Sequence, residues 1–455
     1  AIAAEKTFWV ADVVFDSRTA GLDSTYTYQI ENEVPPGTAV LAPLGNRTAL
    51  GYLISSRKTD GSDLGYSIEK LRPVQAVLPE VSIPEEIIGL VRYASDEYLC
   101  PLSVALSPAL PPGVLDRMQT TWKLTEKDHT IAELSPIQQE VVNLVKSKGG
   151  TFVVAPSRKL ESAMVKALKL LQAKGILEKS VEIADSSATK PNVFYRLTHD
   201  GTAIDKFLST QAKKKPAQAL TLVRLREIES ARLTTSDIKG LCGVTDATIK
   251  SLIEAGLLEL ETAESKKGQA APQLNSDQKI AVDALVESIE QREPTRFLLF
   301  GVTGSGKTEV YMRAAAEAIR MGRQVLYLVP EIALASQAVH LLRERFGKSV
   351  AILHSELPPK ERLENWMAIR QGKSVVVLGA RSALFAPLSN IGFIIVDEEH
   401  ESSYKQESAP RYHAKRLAQF LAERHKCPVV FGSATPSIES NFEAEQEKLV
   451  QLSLP

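Results

Sequence analysis

From residue 297 onward the chain repeats one pattern: a short unbroken apolar run, then a longer stretch in which apolar positions recur with helical spacing. The runs fall at 297–300, 324–329, 350–354, 375–379 and 393–396, with a sixth at 428–431. Short apolar runs without polar alternation predict strands buried on both faces. The helical stretches between them serve as crossovers, so the strands lie mainly parallel in one sheet. Such a sheet collects its ligands at the carboxyl ends of its strands.

Residues 1–113 follow a different rhythm. Segments 8–15, 25–30, 38–43 and 49–56 are short, β-branched or aromatic, and broken by turns, one of them at 44–47. They predict a small β-rich domain. The stretch LSPALPPG at 106–113 stiffens the backbone and withholds donors, which marks a boundary. Between 116 and 264 the spacing is helical and a motif occurs twice. Residues 233–258 predict a helix, a turn at Gly243, and a second helix with Ile249, Leu252 and Ile253 on its apolar face, ended by Gly256 before a strand. The stretch 160–177 ends in the same way, on AKGIL against EAGLL. This reading gives two winged-helix-like units, 116–215 and 216–264, with helical hairpins that act only as spacers or protein docking surfaces as the alternative. Lys213, Lys214 and Lys215 read as a solvated linker, and 265–272 as a second one leading into a lobe at 273–455. The fold class expected is multidomain α/β.

Composition narrows the function. The 455 residues are 44% apolar and 24% charged, ordinary for packed domains. Basic residues number 54 and acidic ones 55, so a net charge of −1 supplies no global field for a polyanion, and nucleic-acid contact must come from local patches. Cys100, Cys242 and Cys427 are far apart and lack CxxC spacing, which favours small buried hydrophobes over a disulfide framework or a zinc site. No apolar run approaches the ~20 residues of a membrane span, and no signal pattern opens the chain; no membrane association and a cytoplasmic location are expected.

The chemistry sits at the predicted strand ends. GVTGSGKT at 301–308 follows the first apolar run and precedes a helical one, the setting in which GxxxxGK followed by Ser or Thr binds phosphate. Gly301, Gly304, Ser305 and Gly306 let the backbone close so that amides and a helix N-terminus face the anion. Lys307 would reach the β- and γ-phosphates, and the Thr308 hydroxyl would ligate Mg2+. FIIVDEEH at 393–400 places acids directly after a buried strand. Asp397 is suited to hold the magnesium shell and Glu398 to orient or deprotonate the attacking water. ATP and Mg2+ are the expected cofactors, hydrolysis the reaction, and Lys307, Asp397 and Glu398 the catalytic residues.

Three further stretches point to a motor. Gln278, in LNSDQ at 274–278, carries an amide able to pair with an adenine edge. Ser433 and Thr435, in GSATPS at 432–437, suit coupling of phosphate state to a neighbouring lobe. Arg381 and Ser382, in GARSALF at 379–385, aim toward nucleic acid. In the loop after the acids, Tyr404 and Tyr412 alternate with Lys405, Arg411, Lys415 and Arg416, a composition suited to base stacking beside phosphate contact, with a solvated polar loop as the plain alternative.

These segments, in this order, resemble superfamily 2 helicases, and the wording of several resembles the PriA family of primosomal replication-restart helicases. The segments are FGVTGSGKTEVY at 300–311, LVPEIAL at 328–334, LHSEL at 353–357, RSALFAP at 381–387, DEEH at 397–400 with SYKQ at 403–406, and GSATPS at 432–437. The resemblance covers nearly all of 273–440 and implies a RecA-like P-loop lobe. Less specifically, the first module resembles the family's domain for a leading-strand 3′ end, whose pocket maps to Tyr26, Thr27, Tyr28, Gly45 and Arg72. Thr27 stands where the family often has an acidic residue, and Arg72 where lysine is usual. What the resemblance implies is ATP-dependent 3′-to-5′ unwinding at stalled or abandoned forks and restart by primosome assembly. The implied partners are forked and single-stranded DNA, primosome proteins and single-stranded DNA-binding protein, engaged by a monomer. It also implies a second motor lobe and a zinc-binding insertion outside this chain, so that the chain alone is expected to bind DNA and nucleotide but to hydrolyse and unwind poorly. The competing readings are another DNA-dependent translocase in repair or restriction, and a non-hydrolysing fork-binding scaffold.

Overall fold

The structure, a computed structural model, describes residues 7–15, 25–45, 47–114, 118–125, 134–154, 160–183, 194–198, 200–227, 233–261, 273–330, 337–354 and 357–455. The described residues divide into two compact units, one within 1–88 and 101–187, the other within 89–100 and 188–455.

The first unit opens on a five-stranded antiparallel sheet in the order Tyr26–Ile30, Phe8–Phe15, Arg47–Thr59, Ala39–Leu44, Ala76–Leu78. Alternation drives it: Ala11, Val13 and Phe15 point to one side and pack with Tyr28, Ile30, Val40, Ala42 and Leu53. The edges do not stay open. Gln29 N–H donates to Arg72 O (2.9 Å), Val74 N–H to Gln29 O (3.1 Å) and Gln75 N–H to Leu41 O (2.7 Å), so residues 72–75 bridge the sheet toward a barrel. The four predicted strands are all present, and Gly45 takes the left-handed φ of +60° that its turn requires. Asn46 lies outside the described residues.

Also in this unit, strands Thr151–Val154, Met118–Leu124 and Leu177–Ile183 form an antiparallel sheet in that order, with helices Pro136–Ser147 and Ser162–Ala173 closing a core around Trp122, Phe152, Leu168 and Leu171.

In the second unit, helices Thr235–Cys242 and Asp246–Glu254 flank Gly243 (φ +65°) and lead through Gly256 into strand Leu258–Glu261, as the sequence pattern predicts. The expected boundary at residue 215 is displaced. Strand Phe194–Leu197 pairs with both Leu233–Thr234 and Leu258–Glu261, and Ile204 joins Leu222, Leu225, Ile249 and Leu252 in one core. Lys213, Lys214 and Lys215 are exposed, as expected, but they turn the chain between helices Gly201–Gln211 and Pro216–Glu227 inside this module. The predicted linker at 265–272 lies outside the described residues.

The lobe holds a seven-stranded, all-parallel sheet in the order Val350–Leu353, Val376–Gly379, Gln324–Leu328, Ile391–Val396, Val429–Ser433, Arg296–Gly301, Val450–Leu454. Central strands are buried on every residue, which is why their sequences carry no alternation. The seventh strand, absent from the sequence reading, lies at the edge with only Leu452 and Leu454 buried, so its sequence alternates instead.

Opposite the motif-bearing edge, Arg323 is 3% exposed and donates through Nη2 to Ile391 O (2.6 Å), His425 O (2.7 Å) and Lys426 O (3.3 Å), a cation on the carbonyl end of helix Ala414–His425. His425 lies beside it, and burial together with the Arg323 and Arg424 charges pushes its imidazole down to about 4. The unfolded chain takes up that proton near the ordinary value of 6.5, so stability is complete above 6.5 and is lost as pH falls from there toward 4. Hydrogen exchange of strand Ile391–Val396 in His425→Gln is expected to lose about 3 kcal/mol less than the unsubstituted chain between pH 7 and pH 4, and equal losses contradict this.

Candidate nucleotide site and nucleic-acid interface

The loop after strand Arg296–Gly301 turns on Gly304 (φ +86°) and Gly306 (φ +89°) into helix Lys307–Arg320. A Cβ on Gly301 would lie 2.5 Å from Ser305 Oγ, and one on Gly306 would lie 2.3 Å from Gln278 Nε2. Lys307 is buried and donates to Gly301 O (2.6 Å), a loop carbonyl that a phosphate oxygen can replace. Among the described residues, Ser305 Oγ is buried without a hydrogen-bond partner. An amide-lined turn, an uncommitted hydroxyl and an ammonium held only by carbonyls suit a polyphosphate. Thr308, half-buried in the first helical turn, and Asp397 suit its Mg2+.

Gln278 is already engaged. Its Oε1 accepts from Asn275 N–H (3.0 Å) in a capping box, and its Nε2 donates to Ser305 O (3.0 Å). The amide proposed for an adenine edge therefore ties the preceding helix, Ser276–Gln291, to the phosphate loop in this arrangement.

Across the sheet edge, Asp397 ends strand Ile391–Val396. Burial and the neighbouring Glu398 raise its carboxyl above the ordinary range, while Tyr327, Lys307 and Tyr311 act to lower it. Glu398 stands in left-handed backbone at φ +47°, a costly conformation for a non-glycine residue and one found at functional turns, and leaves its side chain partly open to solvent. His400 Nδ1 shares a proton with Ser433 Oγ (2.7 Å), and Ser433 Oγ accepts from Thr435 N–H (3.0 Å), so both proposed coupling residues connect to the acidic turn.

Sequence reasoning passed over Glu399 and misjudged Lys415. The Glu399 carboxylate is buried, with Oε1 accepting from Ser437 N–H (2.7 Å) and Oε2 paired with Lys415 Nζ and bonded to the hydroxyls of Ser437 and Ser440. Burial works to raise this carboxyl, but Lys415 and those donors outweigh it and hold it below the usual range. Lys415 is thereby an internal strut between the acidic turn, its own helix and helix Ile438–Glu445, and is withheld from DNA. Its position inside a basic, aromatic loop sequence concealed this.

The loop after the acids is also turned inward. Tyr404 is 1% exposed and its hydroxyl lies within donating distance of Asp397 O (2.6 Å) and Leu328 O (3.1 Å); Tyr412 is 2% exposed and packs edge to face on Phe385. Neither ring offers a face to a base in this arrangement. Arg381 holds the loop through Gln406 Oε1 (2.6 Å) and Ser403 O, whereas Ser382, Lys405 and Arg411 are exposed. Residues 89–100 brace the same loop: Tyr98 accepts from His413 N–H (3.1 Å), Lys405 lies over the Tyr98 ring, and Tyr93 stacks on Phe420.

In the barrel, strand alternation separates the expected pocket. Tyr26 and Tyr28 flank Phe15 on one face, and Arg72 Nη1 donates to Gly45 O (3.2 Å). Thr27 points the other way and donates to Asp12 Oδ1 (2.8 Å), within a network that includes Ser55 and Arg57.

A glycine-built loop and an acidic turn share the carboxyl edge of one parallel sheet, separated by strand Val429–Ser433, and residues 275–443 match the family model for DEAD/DEAH box helicases, which makes this a helicase-type ATPase lobe. Residues 12–111 match the model of a 3′DNA-binding domain (3′BD). The chain is 34% identical to the replication restart protein PriA of Bacillus subtilis over 98% of its own length and 55% of that protein. The corresponding values for the Synechocystis protein of that name are 32%, 95% and 52%. With the Treponema pallidum protein, identity rises to 48% over 37% of this chain and 25% of that one. The chain belongs to the PriA family of replication-restart proteins and spans about half the length of these first two relatives.

Replacing Lys415 with Met strands the Glu399 carboxylate without its cation. A loss of about 3–5 kcal/mol in lobe stability is expected, largely recovered in the Lys415→Met, Glu399→Gln double variant. Urea unfolding of both variants tests this, and additive losses contradict it.

Proposed function

We propose that the chain is the fork-recognising, nucleotide-binding part of an ATP-dependent 3′-to-5′ DNA helicase that restarts replication at abandoned forks. The observation that carries this reading is the convergence of Lys307 and Asp397, each placed just beyond a strand of one sheet, at a common carboxyl edge beside a phosphate-shaped loop.

Lys307 leaves Gly301 O for the β- and γ-phosphates, the loop amides take the remaining oxygens, and Thr308 and Asp397 would hold Mg2+. Magnesium held there would neutralise charge on the phosphates. Glu398 orients the attacking water and accepts its proton, and the His400–Ser433–Thr435 chain passes the phosphate state toward a partner lobe. Gln278 reads adenine by exchanging its present partners. A trans-acting arginine is worth ~10³ or more in such reactions, so the chain alone hydrolyses ATP slowly.

Ser382, Lys405 and Arg411 contact the DNA backbone, with Arg381, Tyr404 and Tyr412 joining them when the loop turns outward. Tyr26, Tyr28, Gly45 and Arg72 receive a 3′ end, with Thr27 contributing through the backbone of its strand. The two helical modules serve as winged-helix units, and primosome proteins and single-stranded DNA-binding protein complete the assembly around a monomer in the cytoplasm.

The test uses the chain with forked DNA ending in a 3′ hydroxyl or a 3′ phosphate. The hydroxyl-ended fork is expected to bind about tenfold more tightly, a difference of ~1.4 kcal/mol, with Arg72→Ala erasing the preference. Lys307→Ala is expected to abolish ATP binding and spare fork binding. Equal affinity for both forks contradicts the 3′-end reading; unaltered ATP binding by Lys307→Ala contradicts the motor reading.

A further inference from the structure

Two tyrosines at the acidic edge have been given no role so far, although Tyr311 closes the segment at 300–311. Tyr311, on helix Lys307–Arg320, and Tyr327, on strand Gln324–Leu328, are both 0% exposed. Tyr311 donates its hydroxyl to Asp397 Oδ1 (3.2 Å) and Tyr327 donates to Oδ2 (3.1 Å), so each carboxylate oxygen receives one phenol. The rings meet edge to face with centroids 5.8 Å apart. The surroundings are shaped for this: a Cβ on Gly432 would lie 1.6 Å from the Tyr311 hydroxyl oxygen and 3.2 Å from Asp397 Oδ1. Apolar packing alone would be met by phenylalanine at both positions, and a buried hydroxyl is costly unless it is bonded.

We propose that Tyr311 and Tyr327 are positioning residues that hold the Asp397 carboxylate in the orientation that receives the magnesium shell, and so set how strongly magnesium favours nucleotide binding. The inference rests on the nucleotide-site reading above. Tyr311 rides on the helix that begins with Lys307 and Thr308, so one hydroxyl links the phosphate-binding helix to the acid. Tyr327 anchors the second oxygen from the strand paired with Ile391–Val396. With both oxygens bonded, the carboxylate cannot rotate, and the cation does not have to order it. Partners of this outer kind typically change metal affinity by about 10–100-fold.

The experiment measures binding of a fluorescent ADP analogue to the full chain, in excess magnesium and in EDTA, for the unsubstituted chain, Tyr311→Phe, Tyr327→Phe and the double variant. Mn2+ binding in the presence of ADP, followed by electron paramagnetic resonance, reads the cation directly. The double variant is expected to bind the analogue about tenfold more weakly in magnesium and to match the unsubstituted chain within about twofold in EDTA, with Mn2+ affinity falling in parallel. Each single variant is expected to lose part of the magnesium effect, and these carry the test if the double variant melts. A magnesium effect preserved in the variants, or equal weakening with and without magnesium, overturns the inference and leaves a packing role. An unsubstituted chain that gains nothing from magnesium overturns the nucleotide-site reading, and the inference with it.

Discussion

A strand buried on both faces has no place for charge except its end, and the lobe is organised by that constraint. Strands Gln324–Leu328, Ile391–Val396 and Val429–Ser433 are buried at every residue, so ionised chemistry gathers where they stop. There Glu399 and Lys415 form an ion pair inside the lobe. Such a pair adds little net stability over apolar groups of the same shape, but removing one member is severe because it leaves a buried charge. Its effect here is to fix the acidic turn relative to helices Ala414–His425 and Ile438–Glu445, and through that turn to fix Asp397 and Glu398.

The opposite edge meets the same constraint with a different solution. Arg323 spends its buried guanidinium on three carbonyls at a helix end, and His425 stays neutral beside it. Charge is thus neutralised by dipoles at one edge and by a counter-ion at the other. The barrel handles exposed backbone rather than buried charge, by bonding residues 72–75 to edge strand Tyr26–Ile30 on one side and to strand Ala39–Leu44 on the other.

The lobe was legible in sequence wherever burial was complete. Continuous apolar runs identified six of its strands, and the glycine pattern at 301–308 fell on a tight turn between a strand and helix Lys307–Arg320; the edge strand Val450–Leu454 escaped because only alternate residues are buried. Side-chain direction was less legible. Tyr404, Tyr412 and Lys415 sit in a stretch whose composition suits DNA, yet all three point into the lobe, and no periodicity signals this in an irregular loop. Thr27 was grouped with Tyr26 and Tyr28 by adjacency, although a strand's period of two sends it to the other face. The module runs across residue 215 because strand Phe194–Leu197 finds its partners 38 to 67 positions later, beyond any local pattern.

The most direct measurement is a structure of the chain with ADP and Mg2+. The account predicts that Lys307 Nζ leaves Gly301 O for the β-phosphate while Asp397 faces the cation with Tyr311 and Tyr327 still bonded to it. A nucleotide bound elsewhere, or a Lys307 still held by Gly301 O with nucleotide present, would contradict it.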